Sequence, residues 1–142
     1  MATTSTAQTH WEGSLFEGSG QVELVTSGLA TFDVAWGARA ESGQGATNPE
    51  ELIAAAHATC FSMALSNILA KNDTPPASLD TKADVTFVPG TGITGSHLTV
   101  VGRVPGLTAD EFLAFAGTAK AECPVSQALA GVEITMDASF EE

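Results

Sequence analysis

Basic side chains are scarce in this sequence: five lysines and arginines stand against seventeen aspartates and glutamates, a formal charge of −12 over 142 residues. Such a surface repels phosphate backbones and anionic headgroups, and no Lys/Arg cluster offsets it locally, so neither nucleic acid nor an acidic membrane is expected as a partner. Cysteine is equally scarce, with Cys60 and Cys123 alone, and the paired Cys-x-x-Cys motifs of structural zinc sites are absent. The amino terminus, "MATTSTAQTHWEG", has neither a charged start nor an apolar run. It is therefore expected to be a lead-in, flexible over residues 1–8, rather than a secretory signal. A cytoplasmic location follows as the expectation, and in that reducing compartment two thiols serve as free, catalytic or metal-binding groups rather than as a permanent staple. With no repeat, low-complexity tract or second domain visible, residues 1–142 suit one domain that buries about two-thirds of its unfolded surface.

What is present organises into short strands and longer helices. Apolar residues alternate through "HWEGSLF", "GQVELVT" and "LATFDVAW", split by "EGSG" and "SG", the pattern of three antiparallel strands joined by tight turns. "GARAESGQGATNPE" reads as a polar, glycine-rich loop. Asn48 then offers an N-cap, Pro49 a first helical residue with its φ already set, and Glu51 the third-position carboxylate of a capping box. A helix of about twenty residues, ending near "KND", is expected to follow. "LDTKADVTFV" and "SHLTVVGRV", divided by "PGTGITG", alternate again as a second strand pair. Thr108 and Glu111 cap "TADEFLAFAGTAKAE", "PVSQALA" is a short helix, and "VEITMDASF" is a closing strand. The order β-β-β-α-β-β-α-α-β defines an α+β fold.

The run "LIAAAHATCFSMALSNILA", from Leu52 to Ala70, reaches the length of a membrane span. His57, Thr59, Ser62, Ser66 and Asn67 within it, and Glu50 and Glu51 at its start, argue for a central helix covered by protein on most sides.

Cys60 lies in the middle of that helix, where a cysteine is ordinarily small apolar packing. Cys123 changes the odds, because it precedes Pro124 at a helix start, where unpaired N–H groups and the dipole favour a thiolate. Two thiols that meet in the fold can cycle through a disulfide. Arg39 is one of only two arginines and stands on the glycine-rich loop leading into the Cys60 helix; its ordinary reading is a solvated charge. Glu50, second in that helix, is accounted for by the dipole alone. Glu50 and Cys60 lie ten residues apart, about 15 Å along the axis. A site using both therefore needs the carboxylate of a second chain, as two antiparallel helices related by a two-fold axis would supply.

"TNPEELIAAAHATCFSMALS" and "KAECPVSQAL" closely resemble the signature segments of the OsmC/Ohr family, the osmotically inducible and organic hydroperoxide resistance proteins. The similarity runs from "HWEG" through "ASLDTKADVTF" to the last strand, and "AAHATCFSM", with His57, sides with the OsmC branch. The resemblance implies antiparallel sheets around central helices in an intertwined homodimer, with two active sites at the interface. It also implies a cysteine-based stress-response peroxidase, without metal or cofactor, that reduces organic hydroperoxides to alcohol and water, and hydrogen peroxide more slowly. Carried over by motif, Cys60 is the peroxidatic cysteine, Cys123 the resolving one, Glu50 the carboxylate after "NP", and Arg39 the family arginine. An external dithiol, such as a lipoylated protein, would restore both thiols. Charge moves from sulfur onto the departing oxygen in such a reaction, so Arg39 beside both atoms would act mainly in the transition state, oriented by a bidentate Glu50. Phe61 and Met63 are candidates to wall an apolar substrate pocket.

Two other readings use the same residues. His57 and Cys60, at i and i+3 on one helix face, could join Cys123 as metal ligands, although a packed, hydrogen-bonded core histidine is the commoner state of such a residue. A non-catalytic dimer of the same fold could instead hold an apolar ligand.

Overall fold

The alternating N-terminal segments form an antiparallel meander of β1 (Ala7–Glu12), β2 (Ser19–Leu24) and β3 (Thr31–Val34), in that order. The coordinates are a computed structural model that describes residues 1–41 and 45–141, and the chain divides into two compact units, Met1–Leu52 and Ile53–Glu142. In the first unit, Thr6 is already tied down, its carbonyl accepting from the Val25 and Thr26 amides at 3.0 and 3.1 Å. β1 starts at Ala7, inside the stretch expected to be a flexible lead-in.

The segment expected to be all loop opens instead with a short helix, α1 (Trp36–Ala40), which carries Arg39 in its last turn. Residues 42–44 of that segment lie outside the described ones. Asn48 caps α2 (Pro49–Lys71) as its side-chain oxygen accepts from the Glu51 amide at 2.7 Å, while its amide nitrogen donates to the Ala38 carbonyl at 2.6 Å. One side chain therefore fixes α1 against the start of α2. The expected capping box is only half made: the Glu51 carboxylate accepts from the Thr47 hydroxyl.

The second unit holds the core. Antiparallel β4 (Ser78–Val88) and β5 (Gly92–Arg103) form a hairpin closed at Pro89–Thr91, tighter than the sequence suggested because Gly92, Ile93 and Gly95 already pair. Next come α3 (Ala109–Glu122), with the expected Thr108–Glu111 capping box complete, then α4 (Pro124–Ala128) and β6 (Glu133–Glu141). β6 adds beside β5 in parallel, not antiparallel as expected. The intervening helices form a crossover that returns the chain to the end of the sheet where β5 began. The α+β class and the order of the main elements are as the sequence indicated, with α1 added.

Phe61, Leu65 and Leu69 of α2 meet Leu98 and Val100 of β5, and Phe112, Ala116 and Ala119 of α3, in one fully buried cluster. With His57 these α2 residues form an i, i+4 stripe, so they face one way. The stripe Ala55, Thr59, Met63 and Asn67 is exposed. By length and composition α2 could cross a membrane, yet its buried stripe is that of a core helix. It is covered on one face rather than on most sides.

Candidate active site

Four side chains singled out by the sequence fall into two contacts, one in each unit. In the first, Arg39 Nε donates to Glu50 Oε1 at 3.0 Å, with the Glu50 side chain 7% exposed. The pair is not bidentate, because Glu50 Oε2 is buried without a hydrogen-bond partner. A buried, unsatisfied carboxylate oxygen carries a penalty of about 1–3 kcal/mol or more. Beside the pair is an apolar cavity of about 280 Å³, with Trp11, Leu15, Val22, Trp36 and Leu52 in its wall together with Arg39.

In the second unit, Cys60 and Cys123 come together as free thiols, near enough for each sulfur to influence the other. Cys60 is half-buried on α2, whereas Cys123 is fully buried at the junction where α3 ends and α4 begins. Desolvation pushes the Cys60 thiol up from its ordinary pKa; the Val125 backbone N–H, donating to its sulfur, pulls the other way, and the adjacent Cys123 sulfur raises it again. The sequence placed the helix-start effect on Cys123. The amide of the first turn of α4 is instead directed at Cys60. An open, mainly apolar groove of about 740 Å³ runs past Cys60 between Thr59, Met63, Ala64, Ile68 and Pro124. Phe61, expected near such a pocket, is in the core instead.

His57 lies one helical turn before Cys60 and is wholly buried. Its Nδ1 is 2.7 Å from Ser96 Oγ on β5, and its Nε2 is 2.8 Å from Ser126 Oγ on α4. Desolvation lowers its pKa, which keeps it neutral at pH 7, and a hydroxyl on each side suits a ring with one N–H and one lone pair. With both nitrogens engaged by serines, His57 is the packed core histidine of the ordinary reading. No group of three or more His, Cys, Asp or Glu side chains is placed to hold a metal among the described residues. Ser96, Ser126 and the Val125 amide were not singled out in the sequence. The spacing of "CPVS", which repeats that of "HATC", was the available signal.

Two neighbouring thiols, one buried and one beside an apolar groove, thus sit on a two-sheet α+β scaffold. The family model for OsmC-like protein matches residues 41–137, and the chain belongs to that family. It is 45% identical over 133 residues to peroxiredoxin OsmC of Escherichia coli (strain K12), covering 92% of each chain. It is 32% identical over 102 residues to the organic hydroperoxide resistance protein OhrA of Bacillus subtilis (strain 168), covering 70% of this chain and 72% of the other. Among solved structures, an organic hydroperoxide resistance protein OsmC from Legionella pneumophila superposes with a TM-score of 0.75 at 27% identity, covering 98% of both chains.

Proposed function

We propose that this chain is a thiol-dependent peroxidase that reduces organic hydroperoxides to alcohol and water, with Cys60 as the attacking and Cys123 as the resolving cysteine. The observation that carries the reading is the thiol pair itself: cysteines sixty-three positions apart come together as free thiols while Cys60 borders an apolar groove. The names of the similar proteins, a peroxiredoxin and an organic hydroperoxide resistance protein, support a peroxidase-type redox role. In the first step the Cys60 thiolate attacks the terminal peroxide oxygen. The O–O bond breaks, Cys60 becomes a sulfenic acid, and the alkoxide takes up a proton to leave as the alcohol. Cys123 then attacks the Cys60 sulfur, the S–O bond breaks, and the hydroxide departs as water with the Cys123 proton. An external dithiol reduces the disulfide by exchange.

Burial raises the Cys60 thiol, so the reaction needs a cation near the sulfur. Even an ordinary thiol is only about 3% ionised at pH 7. Lowering its pKa by three units gains roughly thirtyfold in thiolate, but a Brønsted slope near 0.4–0.5 removes most of that gain in nucleophilicity. A guanidinium is therefore most effective on the departing oxygen, where charge builds up only in the transition state. Arg39, held by Glu50, fits that role, supplied across the two-fold interface of a homodimer. The exposed α2 stripe through Met63 supports such an interface.

Turnover of an alkyl hydroperoxide with a dithiol tests this in wild type, Cys60→Ser and Cys123→Ser. Cys60→Ser is expected to consume none, and Cys123→Ser to accumulate sulfenic acid. Equal activity in all three proteins overturns the reading.

A further inference from the structure

Two contacts join α2 to the short helix α4, and their spacing matches. Cys60 follows His57 by three residues on α2, and Ser126 follows Cys123 by three at the start of α4. Residues three apart on a helix share a face. The His57–Ser126 hydrogen bond, 2.8 Å long, therefore lies one turn along from the Cys60–Cys123 contact. All of its parts are inside the protein: His57 has no exposed surface, Ser126 has 4%, and Ser96, which holds the other ring nitrogen at 2.7 Å, has 2%. A polar bond in such surroundings holds firmly, because either partner left alone would be buried and unsatisfied.

The helix it restrains has little rigidity of its own. α4 has five residues, opens on Pro124, and its N-cap makes no side-chain hydrogen bond; one turn of helix is marginal without tertiary contacts. Yet α4 and its cap carry two groups that the redox chemistry uses, the Cys123 thiol and the Val125 amide.

We infer that His57 is a positioning residue: through Ser126 it pins α4 to α2 and so holds Cys123 within bonding reach of Cys60. This rests on the dithiol reading above. The consequence falls on the second chemical step, in which the Cys123 sulfur displaces hydroxide from the Cys60 sulfenic acid, and water and a disulfide form. A pinned pair has a high effective concentration, because the ordering of the two sulfurs is already in place. A loosened pair resolves more slowly and leaves the sulfenic acid open to further oxidation by a second hydroperoxide, giving the sulfinic acid.

The test needs no hydroperoxide in its first arm. Wild type, Ser126→Ala, Ser96→Ala, His57→Asn and His57→Gln are equilibrated with oxidised and reduced dithiothreitol, and the Cys60–Cys123 dithiol is counted by alkylation and mass measurement. Loss of one buried hydrogen bond is worth up to about tenfold in an equilibrium constant. Ser126→Ala and His57→Asn are expected to form the disulfide about tenfold less favourably, or about 30 mV for this two-electron couple. His57→Gln, whose amide nitrogen can stand where Nε2 stood, is expected to stay within about twofold of wild type. Ser96→Ala removes an equally buried bond to the same ring, so it is expected to lower the melting temperature as Ser126→Ala does while leaving the redox constant nearly unmoved.

A Ser126→Ala protein with the wild-type constant overturns the inference, as do equal shifts in Ser96→Ala and Ser126→Ala. In the second arm, tert-butyl hydroperoxide is added with a sulfenic-acid trap, and a longer-lived sulfenic acid and more sulfinic acid are expected in Ser126→Ala. A lifetime equal to wild type overturns the inference. Absence of turnover in the wild type itself would count against the peroxidase reading, and the dithiothreitol equilibrium would still decide the pin.

Discussion

Under the proposed mechanism, Arg39 and Glu50 would be a pair prepared for charge that is not yet there. Asn48 bridges from the cap of α2 to the Ala38 carbonyl at 2.6 Å, so the peptide next to Arg39 is fixed before its side chain reaches out. Glu50 then holds Nε at 3.0 Å from a nearly buried carboxylate, which leaves the guanidinium one fixed plane. A lysine keeps the charge but neither the plane nor the fork. Removing an oriented donor to a developing oxyanion lowers rates by about 10²–10³ elsewhere. Arg39→Lys is therefore expected to lower kcat/KM for an alkyl hydroperoxide by about that factor, with the number of titratable thiols unchanged. A variant within about threefold of wild type would remove Arg39 from the mechanism. Glu50 and Cys60 were legible as candidates because their motifs are contiguous in the chain. The aim of the Val125 amide was not, since it depends on how α4 lies against α2 rather than on any residue type at position 125.

At the scale of elements, caps and antiparallel hairpins read well, whereas the short α1 and the direction of β6 did not. Thr108 and Glu111 stand three apart at the head of an apolar repeat, and both reciprocal bonds of the capping box form, at 3.2 and 2.9 Å. In α1, by contrast, glycine occupies one of only five residues, too short a segment to show any period. The direction of β6 was equally hidden, because the crossover decides it and β-propensity does not. One glycine explains how closely α3 lies on the sheet. Gly102 pairs with Leu79 and Phe140 in the central strand, and a Cβ there would run into Cε1 and Cζ of Phe112. The Phe112 ring takes that space, 5.7 Å from the ring of Phe140. Gly102→Ala must displace a buried phenylalanine, and overpacking of this kind is worth typically about 1–3 kcal/mol. The urea midpoint is expected to fall correspondingly with an unchanged slope. A midpoint equal to wild type would show that the ring does not rest on that glycine.

For the molecule as a whole, the first unit poses the question of what covers it. Among its described residues the buried hydrophobic side chains are Val22 and Ala38, whereas Phe16 is 72% and Leu29 83% exposed, and every residue of β1 is open to solvent. A segment of this length with so few buried side chains has little to offset its conformational entropy. In the second unit the α2 stripe Ala55, Thr59, Met63 and Asn67 is likewise open, with Met63 68% exposed at its middle. A homodimer that buries these surfaces accounts for both, and it would bring Arg39 to Cys60 when one helix cannot bring Glu50 there. Two chains of formal charge −12 repel each other, so such an association would be apolar in origin and is expected to tighten with salt as that repulsion is screened. Sedimentation at micromolar concentration is expected to give 29.0 kDa, twice the 14.5 kDa chain, in 0.15 M and in 0.5 M sodium chloride. Met63→Glu places a charge in the middle of the stripe and is expected to halve that mass, to remove the concentration dependence of thermal unfolding, and to abolish peroxidase turnover although Cys60 and Cys123 remain. A wild-type protein that sediments at 14.5 kDa while turning over hydroperoxide at full rate would refute the dimer, and Arg39 would then have to reach the sulfur from its own chain.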